Sequence, residues 1–322
     1  MPSSVSSKQN SFAEDVRTGL SSTPKFLSSK YFYDDEGSRL FQEIMQLPEY
    51  YLTRAESEIF QTQAAEIYAA FSAQNSLFDL LELGAGDGTK TAILIENFLQ
   101  HDTAFTYAPI DISLEAIEGL TRKFQTDFPA LKMNAKPGDY FQILESLQSS
   151  SQRRRILLFL GSNIGNFSLV QAIDFFRRLR QVMNQHDLLF IGFDLHKDPR
   201  VILRAYDDAQ GVTAAFNLNF LHRMNRELGA DFDPHQFSHN AIYHPVECAA
   251  RSFLISHTRQ DVYVKALQQN FSFKPWEPIF MEISQKYSLE MIDELAQKSG
   301  FQVVRNFFDG QHYFADSLWE IA

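Results

Sequence analysis

Apolar positions in the middle of the chain follow two alternating patterns. Short continuous apolar runs of strand length, such as residues 156–160 and 188–193, and the largely apolar segment 78–83 alternate with longer stretches of helical periodicity, such as residues 169–183. Buried parallel strands are apolar on both faces, whereas an amphipathic helix buries one stripe. From about residue 54 to 198 the pattern therefore predicts an α/β fold, with a parallel sheet covered by helices on both faces.

The flanking parts of the chain have a different pattern of apolar and aromatic residues. Up to about residue 60 the sequence is rich in aromatic side chains, and after Pro199 the alternation of strand and helix stops. The tail returns to it, with a helix predicted over 289–299 and ended by Gly300, then strands at 301–305 and 318–321. We expect the tail to complete the sheet, and the first and third segments to form a second, discontinuous α+β domain.

Charge and cysteine content exclude several classes of protein. The 322 residues include 29 basic and 40 acidic side chains, a net charge of −11, which argues against a broad nucleic-acid or anionic lipid surface. The one cysteine, Cys248, excludes an internal disulfide and a multi-cysteine zinc site, and it suits a reducing compartment. His196, His239 and His244 lack the spacing of metal ligands, so no metal site is predicted.

The ends and the apolar runs carry no targeting signal. The start of the chain is polar and rich in serine, without the apolar region of a secretory signal. No apolar run approaches the roughly 20 residues that span a bilayer. We therefore expect a cytoplasmic protein without membrane or nucleic-acid partners, and we expect it to be a monomer.

A glycine-rich turn follows the predicted strand at 78–83. The residues are ELGAGDG at 82–88, with Gly84 and Gly86 placed to let the backbone approach a ligand beyond the carboxyl end of the strand. A dinucleotide-binding turn has a third glycine at the position that Thr89 occupies. The spacing therefore favours another nucleoside ligand.

Two further polar positions follow the next predicted strands. Asp111 ends the second strand, 23 positions after Gly88, where a carboxylate can accept both hydroxyls of a ribose. Asp139 and Tyr140 follow a predicted third strand, where a carboxylate beside a ring can meet an adenine. Asp139 alone would serve equally well as a turn cap, with Tyr140 packed beside it. Together with the glycine turn and Asp111, the nucleoside interpretation is favoured.

The glycine turn and Asp111 together resemble the class I S-adenosylmethionine-dependent methyltransferases, whose sheet is Rossmann-like. Five other blocks resemble the histidine Nα-methyltransferases of the ergothioneine pathway, over nearly the whole chain from about residue 25. These blocks are KYFYD at 30–34, LPEYY at 47–51, GSNIGN at 161–166, RAYDDA at 204–209 and EIS at 282–284.

The resemblance implies an enzyme that converts L-histidine to Nα,Nα,Nα-trimethylhistidine (hercynine), with S-adenosylmethionine as methyl donor. It implies a donor-binding methyltransferase domain at 57–198 and 288–322 and a substrate-binding domain at 13–56 and 199–287, after a flexible N-terminus at 1–12. By the family pattern the methyl donor would be contacted by Gly84, Gly86, Lys90, Asp111, Asp139, Tyr140 and Gly161. Lys90 would face the carboxylate of its methionine part.

The family pattern also assigns the amino-acid pocket. Tyr50, Asn166 and Tyr206 match positions that hold the α-amino and α-carboxylate groups. Asn166 offers both a donor and an acceptor to an amine whose hydrogens change with each methylation, and Tyr33 matches an aromatic position beside that nitrogen. Asn166 and Tyr33 are therefore the candidate catalytic residues.

Glu282 and Ser284 are the candidate specificity residues. In a strand the side chains of residues i and i+2 point to the same face, so both can enter one pocket and bind the two nitrogens of an imidazole. Ser252 falls near that pocket where a known family member has a methionine, which leaves the recognised side chain open. The alternatives are another amino acid such as tryptophan, a nicotinamide oxidoreductase, or a cofactor-binding protein without catalysis.

Overall fold

The computed structural model describes residues 4–73, 77–101, 105–147 and 153–322, with residues 4–10 described by their backbone alone. The chain divides into two compact units. Unit 1 comprises Met1–Tyr51 and Lys197–Gln285, and unit 2 comprises Leu52–His196 and Lys286–Ala322.

The described helices of eight or more residues are, in chain order, α1 (Ser4–Ser21), α2 (Asp35–Gln46), α3 (Tyr51–Ser72), α4 (Thr89–Phe98), α5 (Leu114–Asp127), α6 (Tyr140–Leu147), α7 (Leu169–Val182), α8 (Pro199–Tyr206), α9 (Val212–Leu228) and α10 (Leu289–Ser299). The described strands are β1 (Lys25–Phe26), β2 (Phe78–Leu83), β3 (Phe105–Asp111), β4 (Lys132–Met133), β5 (Lys136–Pro137), β6 (Arg154–Phe159), β7 (Leu188–Asp194), β8 (Phe237–His244), β9 (Ala249–Ser256), β10 (Gln260–Val264), β11 (Gln269–Phe273), β12 (Pro278–Gln285), β13 (Phe301–Phe308) and β14 (Phe314–Ile321).

Unit 2 is built on one twisted sheet. Among the described residues its strand order is β13-β14-β7-β6-β2-β3-β4, and β5 also pairs with β3. Strands β2 to β7 pair with one another in parallel, whereas β14 runs antiparallel to both β7 and β13. The tail completes the sheet as expected, and it does so as an antiparallel hairpin because a short turn joins its two strands.

The centre of this sheet explains the apolar runs in the sequence. β6 and β7 are buried at every position, since helices cover both faces of a parallel sheet. Phe159, Phe176 and Trp319 belong to the core on one face. The strand order reverses between β2 and β6, so the glycine turn after β2 lies where ligands bind in such sheets.

Unit 1 holds a smaller sheet with helices. Its strand order among the described residues is β1-β12-β9-β8, and β10 and β11 form a separate antiparallel hairpin. β12 is antiparallel to β9 over most of its length, with a register shift between Phe280 and Glu282. This irregularity lies immediately before the predicted specificity residues.

Most of the stretch that was predicted to be flexible, 1–12, lies in a helix. The structure makes it helical from Ser4, as the first part of α1. Phe12, Val16 and Leu20 follow at four-residue spacing and are all buried, and the Phe12 ring lies 6.0 Å from that of Phe220. The polar, serine-rich start hid this apolar stripe, which anchors the helix to unit 1.

Within the described ranges, none of the helices combines the length and the apolar character needed to cross a bilayer.

Candidate active site

The glycine turn of unit 2 leaves open space at Gly86. Gly86 has φ of 56°, and a Cβ added there would meet no atom within 4 Å. Gly88 has φ of 66°, but a Cβ there would come within 2.4 Å of Leu120 and 2.8 Å of Phe124. Gly88 is therefore needed for packing at the start of α4, whereas Gly86 leaves room for a ligand.

Asp111 lies at the end of β3, beside this turn. The N–H of Gly84 donates to the carbonyl of Ile110 at 2.8 Å, which ties the start of the turn to the end of β3. The Oδ1 of Asp111 accepts from the backbone N–H of Ser113 at 2.9 Å. The carboxylate is thus fixed at the carboxyl end of the strand, as a ribose contact would require.

Asp139 and Tyr140 have local roles that the sequence had offered as alternatives. The Oδ1 of exposed Asp139 accepts from the N–H of Gln142 at 3.0 Å and caps α6. The Tyr140 ring meets that of Phe175 edge-on, with centroids 5.9 Å apart. Desolvation raises the pKa of the Tyr140 hydroxyl, so the group stays neutral. The contact of both residues with adenine stays a prediction.

Lys90 is held by a residue that the sequence analysis did not single out. Its ammonium group forms an ion pair with Glu56, whose side chain is fully buried in α3. The other carboxylate oxygen of Glu56 accepts from the N–H of Gly161 at 2.7 Å. The structure thus brings Lys90 and Gly161 together through Glu56.

A signal for Glu56 was present in the sequence. Glu56 is four residues after Leu52 and three and four before Ile59 and Phe60, all of them buried. A carboxylate on the apolar stripe of a helix needs a partner, because an unpaired buried charge is costly. Asn163 was also missed: a Cβ added to Gly84 or to Gly161 would lie 3.9 Å from its Nδ2.

Asn166 ends the short 3-10 turn Asn163–Asn166, also in unit 2. The hydroxyl of Tyr287 donates to the carbonyl of Ile164 at 3.2 Å. Tyr287 is fully buried, and desolvation raises its pKa, so it remains a neutral donor. The turn that carries Asn166 is therefore fixed from the core of the unit.

The remaining predicted residues lie in unit 1, and the structure brings them together. The hydroxyls of Tyr206 and Ser284 form a hydrogen bond of 2.6 Å. Desolvation raises the pKa of the Tyr33 hydroxyl well above its ordinary value, and the nearby Glu282 carboxylate and the hydroxyls of Tyr50 and Tyr206 add to the effect. Tyr33 therefore stays neutral, in a cluster with one carboxylate.

Other aromatic rings pack around Tyr33. Its ring lies 5.4 Å from that of Phe41 and 5.7 Å from that of Phe216, and Phe41 lies 6.2 Å from Tyr50. The Tyr33 residue as a whole is 45% exposed although its hydroxyl is desolvated by the cluster, whereas Tyr50 is buried. A half-exposed ring among aromatic neighbours can present its face to a cationic nitrogen.

Ser252 lies directly opposite Glu282 on the neighbouring strand. β9 and β12 pair Ser252 with Glu282 and Ala250 with Ser284. Ser252 and Ser284 are both buried, while Glu282 is partly exposed. The small side chain of Ser252 is therefore next to the predicted specificity carboxylate, as the sequence had suggested.

Glu82, which precedes the glycine turn, is a buried carboxyl with a perturbed pKa. Burial raises its pKa to about 7, although the hydroxyls of Tyr107 and Thr91 donate to it, the latter at 2.7 Å, and oppose the shift. Through these two hydrogen bonds it links β2 to β3 and to α4, next to the glycine turn. The sequence analysis assigned it no role.

The histidines set aside in the sequence analysis contact backbone carbonyls. His196 Nε2 lies 3.0 Å from the carbonyl of Lys286, and His239 Nε2 lies 3.0 Å from that of Tyr206. In the part of the chain that the structure describes, no three His, Cys, Asp or Glu side chains gather as a metal-binding group.

Comparison with known proteins adds independent evidence. Residues 12–321 match the family model described as histidine-specific methyltransferase, SAM-dependent. The chain is 38% identical to histidine N-alpha-methyltransferase of Mycolicibacterium smegmatis over 284 residues, covering 88% of this chain and 87% of the relative. It is 29% identical to ergothioneine biosynthesis protein 1 of Schizosaccharomyces pombe, covering 87% of this chain and 37% of that protein.

A solved structure supports the fold. The mitomycin 7-O-methyltransferase MmcR superposes with a TM-score of 0.50 at 14% identity, covering 97% of this chain and 67% of that one. The likeness extends to the fold alone, and it agrees with the sheet of unit 2.

Proposed function

The chain belongs to the S-adenosylmethionine-dependent, histidine-specific methyltransferases, and from this membership we propose that it methylates the α-nitrogen of L-histidine. The product would be hercynine, formed by three successive transfers, and it would serve the biosynthesis of ergothioneine. The observation that carries the proposal is the cluster of Tyr33, Tyr206, Glu282 and Ser284 in a chain with this family match.

The residues of unit 2 fit the methyl donor. The open space at Gly86 would admit a ligand close to the backbone. Asp111, fixed at the end of β3, would accept from the ribose hydroxyls, and the ammonium of Lys90 would face the carboxylate of the donor. S-adenosylmethionine would supply a methyl group on a sulfonium, and a neutral amine would attack that carbon in line. The N–C bond would form as the C–S bond breaks, with its electron pair going to sulfur and S-adenosylhomocysteine leaving. The first and second transfers would be followed by release of a proton from nitrogen to solvent, whereas the third would give a quaternary nitrogen that has no proton to lose.

The protein's own part is mainly placement. We propose that Tyr50 and Tyr206 hold the zwitterionic end of the amino acid and that Asn166 orients its nitrogen. Alignment of this kind contributes up to roughly 7–11 kcal/mol to lowering a barrier. Neutral Tyr33 would present its ring to the nitrogen as it gains methyl groups, since a permanent cation is attracted to an aromatic face by roughly 0.5–2 kcal/mol.

Glu282 and Ser284 would select the imidazole. A carboxylate accepts from a ring N–H, and a hydroxyl pairs with the other ring nitrogen. A substrate without these groups would leave the polar atoms of the pocket unpaired, which disfavours apolar amino acids strongly. Tryptophan remains the second candidate, because Ser252 opposite Glu282 leaves more room than a large side chain would.

One experiment tests the substrate. The enzyme is incubated with S-adenosylmethionine and an equimolar mixture of the common amino acids, and each amino acid is followed by mass spectrometry. Histidine should gain one, two and then three methyl masses, with the others unchanged. Methylation of tryptophan in its place would establish the second candidate, and no methylated product at all would indicate a non-catalytic protein.

The state and location of the protein are further predictions. We propose a monomer in the cytoplasm that acts on a small molecule. Light scattering coupled to size-exclusion chromatography measures the first, and fractionation of the native cell measures the second.

A further inference from the structure

Glu56 contacts several secondary-structure elements in the core of unit 2. Its side chain is 0% exposed, one oxygen accepts the Gly161 N–H at 2.7 Å, and the other pairs with the Lys90 ammonium. A Cβ added to Gly192 in β7 would lie 2.5 Å from the Oε1 of Glu56, so the carboxylate occupies the space above this glycine. Glu56 therefore connects α3, α4, β7 and the turn after β6.

Asp316 is the second carboxyl at this place. It lies in β14, directly opposite Gly192, and it is 0% exposed. Neither of its oxygens has a hydrogen-bond donor among the described residues. The carboxyl of Glu56 lies over the same Gly192, so the polar groups nearest to Asp316 are this carboxyl and the ammonium of Lys90. Two carboxyls can bond to each other only when one of them carries a proton, since an ionised carboxylate has no donor.

The charges around the pair favour one proton on Asp316. Burial, and after it the negative charge of Glu56, hold the pKa of Asp316 well above its usual range, while Lys90 opposes the shift. The carboxyl of Glu82 in β2 also interacts electrostatically with Lys90 and Glu56. The ammonium of Lys90 thus lies near several carboxyls from different elements. Its positive charge is balanced by the negative charge of Glu56 when Asp316 is neutral.

We propose that Asp316 remains protonated and donates to Glu56, and that this acid pair positions Lys90 and the Gly161 peptide for the methionine end of the methyl donor. The inference rests on the proposed donor site. Glu56 and Asp316 are positioning residues here, because they act through Lys90 and Gly161.

The geometry explains why the pair would matter to the donor. The Nζ of Lys90 lies 3.0 Å from where a Cβ on Gly161 would be, so Glu56 holds the cation directly over this glycine. A neutral Asp316 supports Glu56 by a hydrogen bond and adds no charge. An ionised Asp316 would bring a second anion to a site that must accept the carboxylate of the donor.

Infrared spectroscopy tests the shared proton without any ligand. The wild-type protein at mildly alkaline pH should show the carbonyl band of a buried protonated carboxyl, and Asp316→Asn should lack it. Labelling of wild-type aspartate with ¹³C should move the same band, which needs no variant to fold. Glu82→Gln should retain the band. A wild-type spectrum without a band that responds to aspartate labelling overturns the proposal.

Calorimetric titration with S-adenosylmethionine tests the positioning role. Asp316→Asn keeps a donor to Glu56 and should bind within about 3-fold of wild type, whereas Asp316→Ala should bind about 10-fold more weakly. Glu56→Gln should also bind about 10-fold more weakly or worse, because its amide faces Lys90 with a donor. Glu66→Gln, on the exposed side of the same helix in an ion pair with Arg305, is the control that should leave affinity unchanged.

The outcomes separate this inference from the proposed function. A residue with a merely structural role would lower the melting temperature of its variants without changing donor affinity in the folded protein, and that result would overturn the positioning role. If wild-type protein failed to bind S-adenosylmethionine, the proposed function and the positioning role would both fall. The infrared band would still decide whether the acid pair exists.

Discussion

The hydroxyl of Tyr206, at the end of α8, lies 2.6 Å from the Oγ of Ser284 in β12. The bond joins a proposed α-carboxylate or α-amino contact to a proposed imidazole contact within one unit. If both residues contact the substrate as proposed, we expect a change at the imidazole end of the pocket to affect the residue at the zwitterionic end.

A double-mutant cycle should reveal that coupling. Tyr206→Phe and Ser284→Ala each leave the other hydroxyl without this partner, so each should raise the KM for histidine. The double variant should lose less than the sum, with a coupling of about 1 kcal/mol in kcat/KM. Tyr263→Phe, an exposed tyrosine of the same unit, is the control. Strictly additive effects would show that the hydrogen bond does not serve the substrate.

Glu282→Ala should separate substrate from donor. Loss of a charged hydrogen bond to the imidazole should raise the KM for histidine roughly 10–100-fold, with the KM for S-adenosylmethionine changed by less than about 2-fold. Initial rates measured with each substrate varied in turn give both constants. Glu247→Gln, a charged residue paired with Arg251 on the same unit, is the matched control. Small and equal changes in both constants would remove Glu282 from the pocket.

Gly86→Ala should weaken donor binding as well as the fold. Alanine at a φ of 56° costs about 1–2 kcal/mol, but no protein atom lies within 4 Å of the new methyl group. If the donor occupies that space, its affinity should fall at least about 10-fold, as a clash in a close-packed contact would cause. Titration calorimetry and urea denaturation measure the two effects separately.

The chain offers a matched control for this strain. Gly211 has φ of 75° and also has no atom within 4 Å of a new Cβ, but it lies in unit 1. Gly211→Ala should lose similar stability and keep the donor affinity of wild type. Equal donor affinity in both variants would contradict the placement of the donor at Gly86.

The parts of the fold that the sequence predicts well are those with one dominant local signal. The largely apolar segment 78–83 predicted β2 with both ends correct, and the helix at 289–299 matches α10, because Gly300 at a φ of 83° ends it. The tail hairpin was also expected. By contrast, the serine-rich start concealed α1, whose stabilising residues Phe12 and Val16 lie beyond the polar stretch.

The placement of a candidate residue was predictable where a local motif determines it, and not where it depends on a distant partner. The same-face placement of Glu282 and Ser284 follows from strand periodicity, and the structure pairs Ser284 with Tyr206. No local pattern shows that Lys90 pairs with Glu56, 34 positions away, or that β14 places Asp316 opposite Gly192. Such contacts depend on the order of strands, which a single sequence does not determine.

The rate of methyl transfer should rise from neutral to mildly alkaline pH. The attacking nitrogen must lose a proton before at least the first two additions, and an α-amino group titrates at about pH 8 or above. The raised pKa of Tyr33 keeps that hydroxyl neutral across this range, so Tyr33 would not produce the rise. Single-turnover rates isolate the chemical step. A flat profile from about pH 6 to 9 in those rates would contradict the mechanism.

The buried carboxyl of Glu82 should make the stability of the fold depend on pH. Its folded-state pKa of about 7 lies above the ordinary value of 4.5, so the native state holds this proton more tightly than the unfolded chain does. This tighter proton binding adds to the free energy of unfolding. The contribution is present in full below about pH 4.5 and is lost as the pH rises through 7. The difference between these two pKa values corresponds to about 3 kcal/mol of stability.

Glu82→Gln should abolish that dependence, because an amide does not titrate. Urea denaturation at several values between about pH 5 and 8 should show wild type losing about 2–3 kcal/mol relative to the variant as the pH rises. The variant also changes the hydrogen bonds with Thr91 and Tyr107, which shifts its free energy of unfolding by the same amount at every pH. This shift does not alter the pH dependence, since neither donor titrates in the range. Glu66→Gln, an exposed carboxylate, should run parallel to wild type. If the Glu82→Gln curve is also parallel to wild type, Glu82 is ionised in the native state and the support beneath the glycine turn is a charged one.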